Sequence, residues 1–422
     1  MDKLVVHGGS IIKGTINISG SKNASLPILA ATILTGEDCI IRRVPDVSDT
    51  NYMIQILSAL GADVERSSGT VRISCADISD EAPYELVRRM RASICVMGPL
   101  LARKGRAVVS LPGGCVIGDR PVDLHLKGME ALGAKIEFEG GNIILTTPNG
   151  LHGAEINLRG ESGPTVLGTD NVMMAATLAE GVTVIESAAA EPEVLDLANF
   201  LNSMGAKITG AGTRRIVIEG VKELKGTEHT VIPDRIEAGT FMVAAALAGE
   251  GVRLNRVNRE HLKAITEAII KSGHKVEFNE DGTSCFVERG EQLQGVDLNT
   301  SPYPGYPTDM QAQMTALLIT TPGISVVKDS IFPQRFMHCA ELKRMGADIK
   351  LDQGTAIVRG VERLSAAPVM ASDLRASAAL VLAALRAKGT TEISRLYHID
   401  RGYEHIDEKL LMLGADVERV RV

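Results

Sequence analysis

The chain has 422 residues, enough for two or three domains, and its 45% apolar and 23% charged content is that of a folded globular protein rather than a disordered one. Lys and Arg total 45 against 52 Asp and Glu, a formal charge of −7, and aromatic residues make up 3% with no Trp, which suits no nucleic-acid partner. No apolar run approaches the ~18 residues of a membrane span and the start after Met1 is too short for a signal peptide, so a soluble cytoplasmic chain with no membrane partner is expected.

Six cysteines, at 39, 75, 95, 115, 285 and 339, form no CxxC pair, and the nine His form neither HxH nor HExxH. Neither a disulfide framework nor a zinc site is expected.

In chain order the predicted elements recur six times, each unit giving a polar turn, a small-residue apolar helix and then an amphipathic helix ending in Gly. The first unit has Gly20-Ser21-Lys22-Asn23, the apolar stretch 26–41 and LSALGADVE at 57–65. Arg91-Ala92-Ser93, 93–110 and MEALGAKIE at 129–137 make the second; Gly163-Pro164-Thr165, 171–186 and LNSMGAKIT at 201–209 make the third. The fourth runs from Asp234-Arg235-Ile236-Glu237 through 239–255 to IKSGHKVEF at 270–278. Pro307-Thr308-Asp309, 313–327 and LKRMGADIK at 342–350 follow, then Ser372-Asp373-Leu374-Arg375, 376–394 and LMLGADVER at 411–419. The marker glycines, Gly61, Gly133, Gly205, Gly273, Gly346 and Gly414, are 72, 72, 68, 73 and 68 residues apart. Each fits the left-handed residue that ends a helix, and the alternation after it reads as a strand. The apolar helices are apolar almost all round and so belong in a core. The reading is an α/β protein of six units, three in each of two domains, with a seam in the polar stretch 222–233.

Helix starts expose N–H groups and partial positive charge, so six aligned starts facing one cleft would suit a phosphorylated or carboxylated ligand. Most of the Ser, Thr and Asp there read as N-caps. Lys22 and Arg91 oppose the dipole instead, a conflict that a bound anion resolves. Neither a P-loop nor a GxGxxG turn is present, which removes the kinase and dehydrogenase readings. The segment 110–121 packs two Pro and three Gly around Cys115 and reads as a surface loop with an accessible thiol. Arg120 would stabilise its thiolate and Asp119 would work against it, and no Cys-His-Asn grouping makes a protease.

SKN at 21–23, MRAS at 90–93, LPGGCVIGDRPVDLH at 111–125, PTDMQAQ at 307–313, QRFMH at 334–338, SDLRASAALV at 372–381 and YHIDRGYEHIDEKL at 397–410 together resemble the UDP-N-acetylglucosamine enolpyruvyl transferase family. The resemblance runs from Ser19 nearly to the end. It implies two inside-out α/β barrel domains of three units each, residues 22–232 and residues 1–21 with 233–422, with the N-terminal strand in the second and the active site in the cleft between them. It also implies transfer of an enolpyruvyl group from phosphoenolpyruvate to the sugar 3-hydroxyl by addition and elimination, the entry step of peptidoglycan precursor synthesis, without metal or cofactor.

Roles carry over residue by residue. Cys115 takes the place of the general acid and of the thiol that the epoxide fosfomycin alkylates; Asp309 takes that of the base for the 3-hydroxyl. Lys22, Arg120 and Arg401 match ligands of the phosphoenolpyruvate phosphate, with Asn23 beside them, and Arg335 and Arg375 match those of its carboxylate. Arg91, Arg120, Pro121, Val122, Asp123, Leu124, His125, Asp309 and Ile331 match UDP-sugar contacts, while Asp373 and Glu191 fall at other cleft positions. The stretch 159–169 lacks the lysine and the Ser-Val-Gly turn of some members, and Pro333-Gln334 replaces Glu-Asn. Mutual repulsion of the cations predicts an open form that closes on the UDP-sugar. Three alternatives are weighed, and the first, a regulatory rather than catalytic paralogue of the same fold, is set against the presence of Lys22, Cys115, Asp309 and Arg401. The sister 5-enolpyruvylshikimate-3-phosphate synthase lacks the Cys-bearing loop. A six-unit sliding clamp needs basic helices, where these are Ala, Leu, Met and Val. Oligomeric state is not legible.

Overall fold

All six marker glycines are left-handed, with φ of 108° at Gly61, 99° at Gly133, 103° at Gly205, 98° at Gly273, 94° at Gly346 and 90° at Gly414. An L side chain there would be strained, so glycine lets each helix end and turn into a strand. In this computed structural model, which describes residues 2–111 and 122–421, the helices so ended are Ser48–Leu60, Asp123–Ala131, Pro192–Ser203, Lys263–Lys271, His338–Arg344 and Ile406–Met412. A strand follows every one of them.

The apolar stretches form the central helices Lys22–Ala31, Met97–Lys104, Val166–Ala176, Arg235–Ala248, Gln311–Leu318 and Leu374–Arg386. In Arg235–Ala248 every residue after the first is buried, and in Gln311–Leu318 all are. Fully burying a Leu, Ile or Met side chain stabilises by roughly 1.5–3 kcal/mol, so these helices anchor their cores.

The described chain divides into two units, residues 20–111 with 122–232 and residues 2–19 with 233–421, each with its own hydrophobic core. In the second, the Arg235–Ala248, Gln311–Leu318 and Leu374–Arg386 helices pack on one another. In the first, Met97–Lys104 packs on Val166–Ala176, and Lys22–Ala31 packs on the 3-10 turn Arg91–Val96.

Five of the six repeats share one four-stranded sheet plan, and the second has three strands with a single parallel bridge, Glu81 to Val108, in place of the fourth. In the fifth, Leu298–Thr300 is parallel to Ile324–Asp329, which pairs antiparallel with Thr355–Arg359, itself antiparallel to Asp348–Asp352. Ile324–Asp329 alternates exposed and buried residues, so the sheet turns one face to the helices and the other outward. Helices therefore lie inside each unit and sheets outside.

Three sheets borrow strands from elsewhere in the chain. Lys3–His7 lies between Thr390–Ser394 and Asp416–Val420 in the sixth repeat, and Ile12–Asn17 is parallel to Gly249–Asn255 in the fourth. Glu228–Thr230 is parallel to Cys39–Arg42 and completes the first sheet. The polar stretch 222–233 is thus partly a strand, and the units divide at its end, between Ile232 and Pro233.

Candidate functional site

In the unit of residues 2–19 and 233–421, helix starts converge. Asp234 caps Arg235–Ala248, accepting from the N–H groups of Ile236 at 2.8 Å and Glu237 at 2.9 Å. Asp373 caps Leu374–Arg386 through the N–H groups of Arg375 at 2.9 Å and Ala376 at 3.1 Å. Asp309 sits in the 3-10 turn Thr308–Met310 and does something else. Its Oδ1 accepts from Nη1 of Arg335 at 2.7 Å and its Oδ2 from Nη2 of Arg375 at 2.8 Å.

Both arginines are buried, at 6% and 3% exposure. Burial by itself would raise the Asp309 pKa, but the guanidiniums of Arg375 and Arg335 outweigh it and hold the carboxyl well below the usual range. Burial likewise works against the charge of Arg375, and Asp309 overcomes it.

Beneath the pair, three buried side chains hand one another hydrogen bonds. The Gln313 amide donates to the Asp309 carbonyl at 2.8 Å and to the Tyr403 hydroxyl at 3.1 Å. The Tyr403 hydroxyl lies 2.8 Å from that of Thr240, which donates to the Ile236 carbonyl at 2.8 Å. The Arg375 guanidinium lies over the Tyr403 ring, 5.4 Å from its centroid. His338 is buried nearby, and desolvation lowers its pKa to about 4 against the pull of Asp373. Arg401, half-buried, ends the 3-10 turn Leu396–Arg401, and Ile331 follows the strand that ends at Asp329.

The other unit has its own set of groups. Ser21 caps Lys22–Ala31, accepting from Ala24 N–H at 3.3 Å. Lys22 extends its Nζ to Oδ2 of Asp49 at 3.3 Å, so a carboxylate on Ser48–Leu60 already answers the charge that opposes the helix dipole, and a bound anion is not required for that. Asn23 and Arg91 are half-buried at their helix starts. His125 is buried beside Arg91, and burial first, then that charge, lowers its pKa to about 4.

Asn171 fixes the His125 ring. Its Oδ1 accepts from Gly98 N–H at 2.9 Å, while its Nδ2 reaches the Ile94 carbonyl at 2.9 Å and His125 Nδ1 at 3.0 Å. Since the amide nitrogen donates, Nδ1 is the acceptor and Nε2 carries the proton. Val122 precedes the helix Asp123–Ala131; Asp123 is exposed, and half-buried Leu124 lies beside Gly160. The 159–169 stretch forms a hairpin, Arg159–Gly160 with Gly163–Pro164, followed by Thr165 capping Val166–Ala176 through Gly168 N–H at 3.2 Å. Glu191 precedes Pro192–Ser203. Cys115, Arg120 and Pro121 lie outside the described residues.

Of the residues expected at a site, Asp309, Arg335 and Arg375 meet directly, and His125 lies beside Arg91. Sequence reasoning missed Asp49, Asn171, Gln313 and Tyr403. Asn171 did leave a signal, as the one amide in the apolar helix Val166–Ala176, whereas Gln313 shares its helix with Gln311. Among the described residues no group of three or more His, Cys, Asp or Glu is arranged to hold a metal ion, and no helix is long and apolar enough to cross a membrane.

Six α/β repeats, three in each of two units, with buried Arg335 and Arg375 meeting the one carboxylate of Asp309, define the class of fold. A sequence-family model described as EPSP synthase (3-phosphoshikimate 1-carboxyvinyltransferase) matches residues 6–410, and the chain belongs to that family. Within it, UDP-N-acetylglucosamine 1-carboxyvinyltransferase of Akkermansia muciniphila is 69% identical over all of this chain and 99% of its own length. The relative of the same name from Methylacidiphilum infernorum is 57% identical over the same shares. Among solved structures, the enolpyruvyl transferase NikO from Streptomyces tendae superposes with a TM-score of 0.89 at 24% identity, covering 100% of this chain and 99% of that one. EPSP synthase from Acinetobacter baumannii gives 0.77 at 19% with both chains fully covered. Those two likenesses speak for the fold.

Proposed function

We propose that this chain is a UDP-N-acetylglucosamine 1-carboxyvinyltransferase: it transfers the enolpyruvyl group of phosphoenolpyruvate to the 3-hydroxyl of UDP-N-acetylglucosamine and releases phosphate, in peptidoglycan precursor synthesis. The 69% identity over full length with a relative of that name carries the reading. The buried Arg335 and Arg375 support it, because two planar guanidiniums suit a carboxylate.

In this reading Cys115 protonates C3 of phosphoenolpyruvate and C2 becomes an oxocarbenium-like electrophile. The sugar 3-hydroxyl adds to C2 and gives its proton to Asp309. Phosphate then leaves with the proton that Asp309 took up, while C3 returns a proton to the Cys115 thiolate, which restores the double bond. Lys22, Arg120 and Arg401 bind the phosphate, with Asn23 beside them, and Arg335 and Arg375 bind the carboxylate. Arg91, Arg120 to His125, Asp309 and Ile331 hold the UDP-sugar. His125, neutral at pH 7, offers Nε2–H to an anionic oxygen. Asp309 clamped by two arginines is a weak base, and a substrate carboxylate that shares those guanidiniums loosens the clamp and raises its proton affinity. No step calls for a metal or a cofactor.

The test is product analysis: with both substrates, mass spectrometry should find the nucleotide sugar carrying an enolpyruvyl ether in step with phosphate release. The family's other acceptor, shikimate 3-phosphate, should stay unmodified.

A further inference from the structure

We infer that Asp329 is a positioning residue that sets the substrate contacts of the fifth repeat, an inference that rests on the function proposed above. Asp329 ends the strand Ile324–Asp329, opposite Thr300 of the neighbouring strand, and is 1% exposed. Its carboxylate takes four hydrogen bonds. Oδ1 accepts from Thr300 Oγ1 at 2.7 Å and from the N–H groups of Ile331 at 3.0 Å and Phe332 at 2.8 Å. Oδ2 accepts from Thr308 Oγ1 at 2.6 Å. A buried carboxylate met by four donors is a fixed centre, because losing any of them leaves charge without compensation.

Two of these donors belong to the turn that carries Ile331 and leads to Arg335. A third, Thr308, is the neighbour of Asp309. The Thr308 hydroxyl has a single hydrogen, and Asp329 takes it. Its lone pairs are therefore left to accept, and Nη1 of Arg335 donates to it at 3.2 Å while also donating to Asp309 at 2.7 Å. Ser330 N–H donates to Thr300 Oγ1 at 3.0 Å and closes the turn. One carboxylate thus fixes the Ile331 backbone on the UDP-sugar side and the direction of Arg335 on the phosphoenolpyruvate side.

The two effects separate by substitution. Thr308→Val keeps the shape and removes the hydroxyl, so Arg335 loses a partner while Asp329 still holds the Ile331 turn. KM for phosphoenolpyruvate should rise about 10-fold, with KM for UDP-N-acetylglucosamine little changed and kcat falling less than KM rises. Thr308→Ser, which keeps the hydroxyl, should restore most of the lost affinity. Asp329→Asn should raise both KM values together; if it does not fold, the Thr308 pair decides. An active wild type together with a Thr308→Val variant that melts lower but keeps its KM for phosphoenolpyruvate overturns the role of Asp329 alone. A wild type that releases no phosphate overturns the functional reading, and this inference with it.

Discussion

Oδ2 of Asp309 stands 2.8 Å from Nη2 of Arg375, which joins the start of the fifth central helix to that of the sixth. Asp309 is thus the counter-charge of two buried arginines rather than a cap. Removing a cap costs about 1 kcal/mol; removing one partner of a buried ion pair costs roughly 3 kcal/mol or more. Asp309→Ala should therefore lower the melting temperature and also slow turnover per folded molecule by about 100-fold or more. Turnover kept in a variant that only melts lower would end the catalytic assignment.

Acid should weaken the fold in two stages. His125, His274 and His338 are buried, with pKa values lowered to about 4, so between about pH 6.5 and 4 the unfolded chain takes up protons that the folded chain does not. Stability then falls with pH by about 1.4 kcal/mol per pH unit for each such histidine and is no longer lost on their account below pH 4. Asp309 works in the other window: its lowered pKa stabilises the fold above about pH 4, and that contribution disappears as pH falls further. Melting temperatures measured from pH 7 to 4 check the first stage, and His274→Leu should flatten the slope.

Burial disfavours fast reaction at each of the five described cysteines, which leaves Cys115 as the thiol expected to react. Cys39, Cys75, Cys95, Cys285 and Cys339 are all buried. Burial raises their pKa values, to about 11 at Cys39 and about 12 at Cys285 and Cys339. Fosfomycin or iodoacetamide at neutral pH should label one thiol quickly in the wild type and none in Cys115→Asp, which should keep some turnover because a carboxylic acid still delivers a proton. Rapid labelling of both would move the reactive thiol elsewhere.

Asn171 offers a test of stability, although the same substitution also frees the His125 ring that it fixes. Asn171→Leu would fit an apolar helix but leave the Gly98 N–H without its acceptor in the core, at a cost of about 1–3 kcal/mol. Denaturant unfolding measures this. An unchanged midpoint would mean that the Gly98 N–H finds another partner.

How much of this was legible depended on the range of the interaction. Local rules carried far: Gly61 and its five counterparts sit where a helix must end, and all six have positive φ. Ala-, Leu- and Met-rich stretches read as buried, and so they are. Strand exchange was different. No spacing tells that Lys3–His7 pairs with Asp416–Val420 or Glu228–Thr230 with Cys39–Arg42, because such pairings join residues hundreds of positions apart. The site divides the same way. Residue types marked Lys22, Asp309, Arg335 and Arg375 as candidates through a resemblance, whereas no motif or spacing marked the Asp49 carboxylate that meets Lys22 or the Asp329 carboxylate that orients Thr308. Only folding gives them partners.

The central claim is the acceptor, and phosphate release measures it most directly. Phosphoenolpyruvate alone should yield no steady release of phosphate. Adding UDP-N-acetylglucosamine should start release, with one phosphate for each nucleotide sugar converted, and shikimate 3-phosphate should not replace it. Release driven by shikimate 3-phosphate, or the same rate with no acceptor at all, would contradict the account.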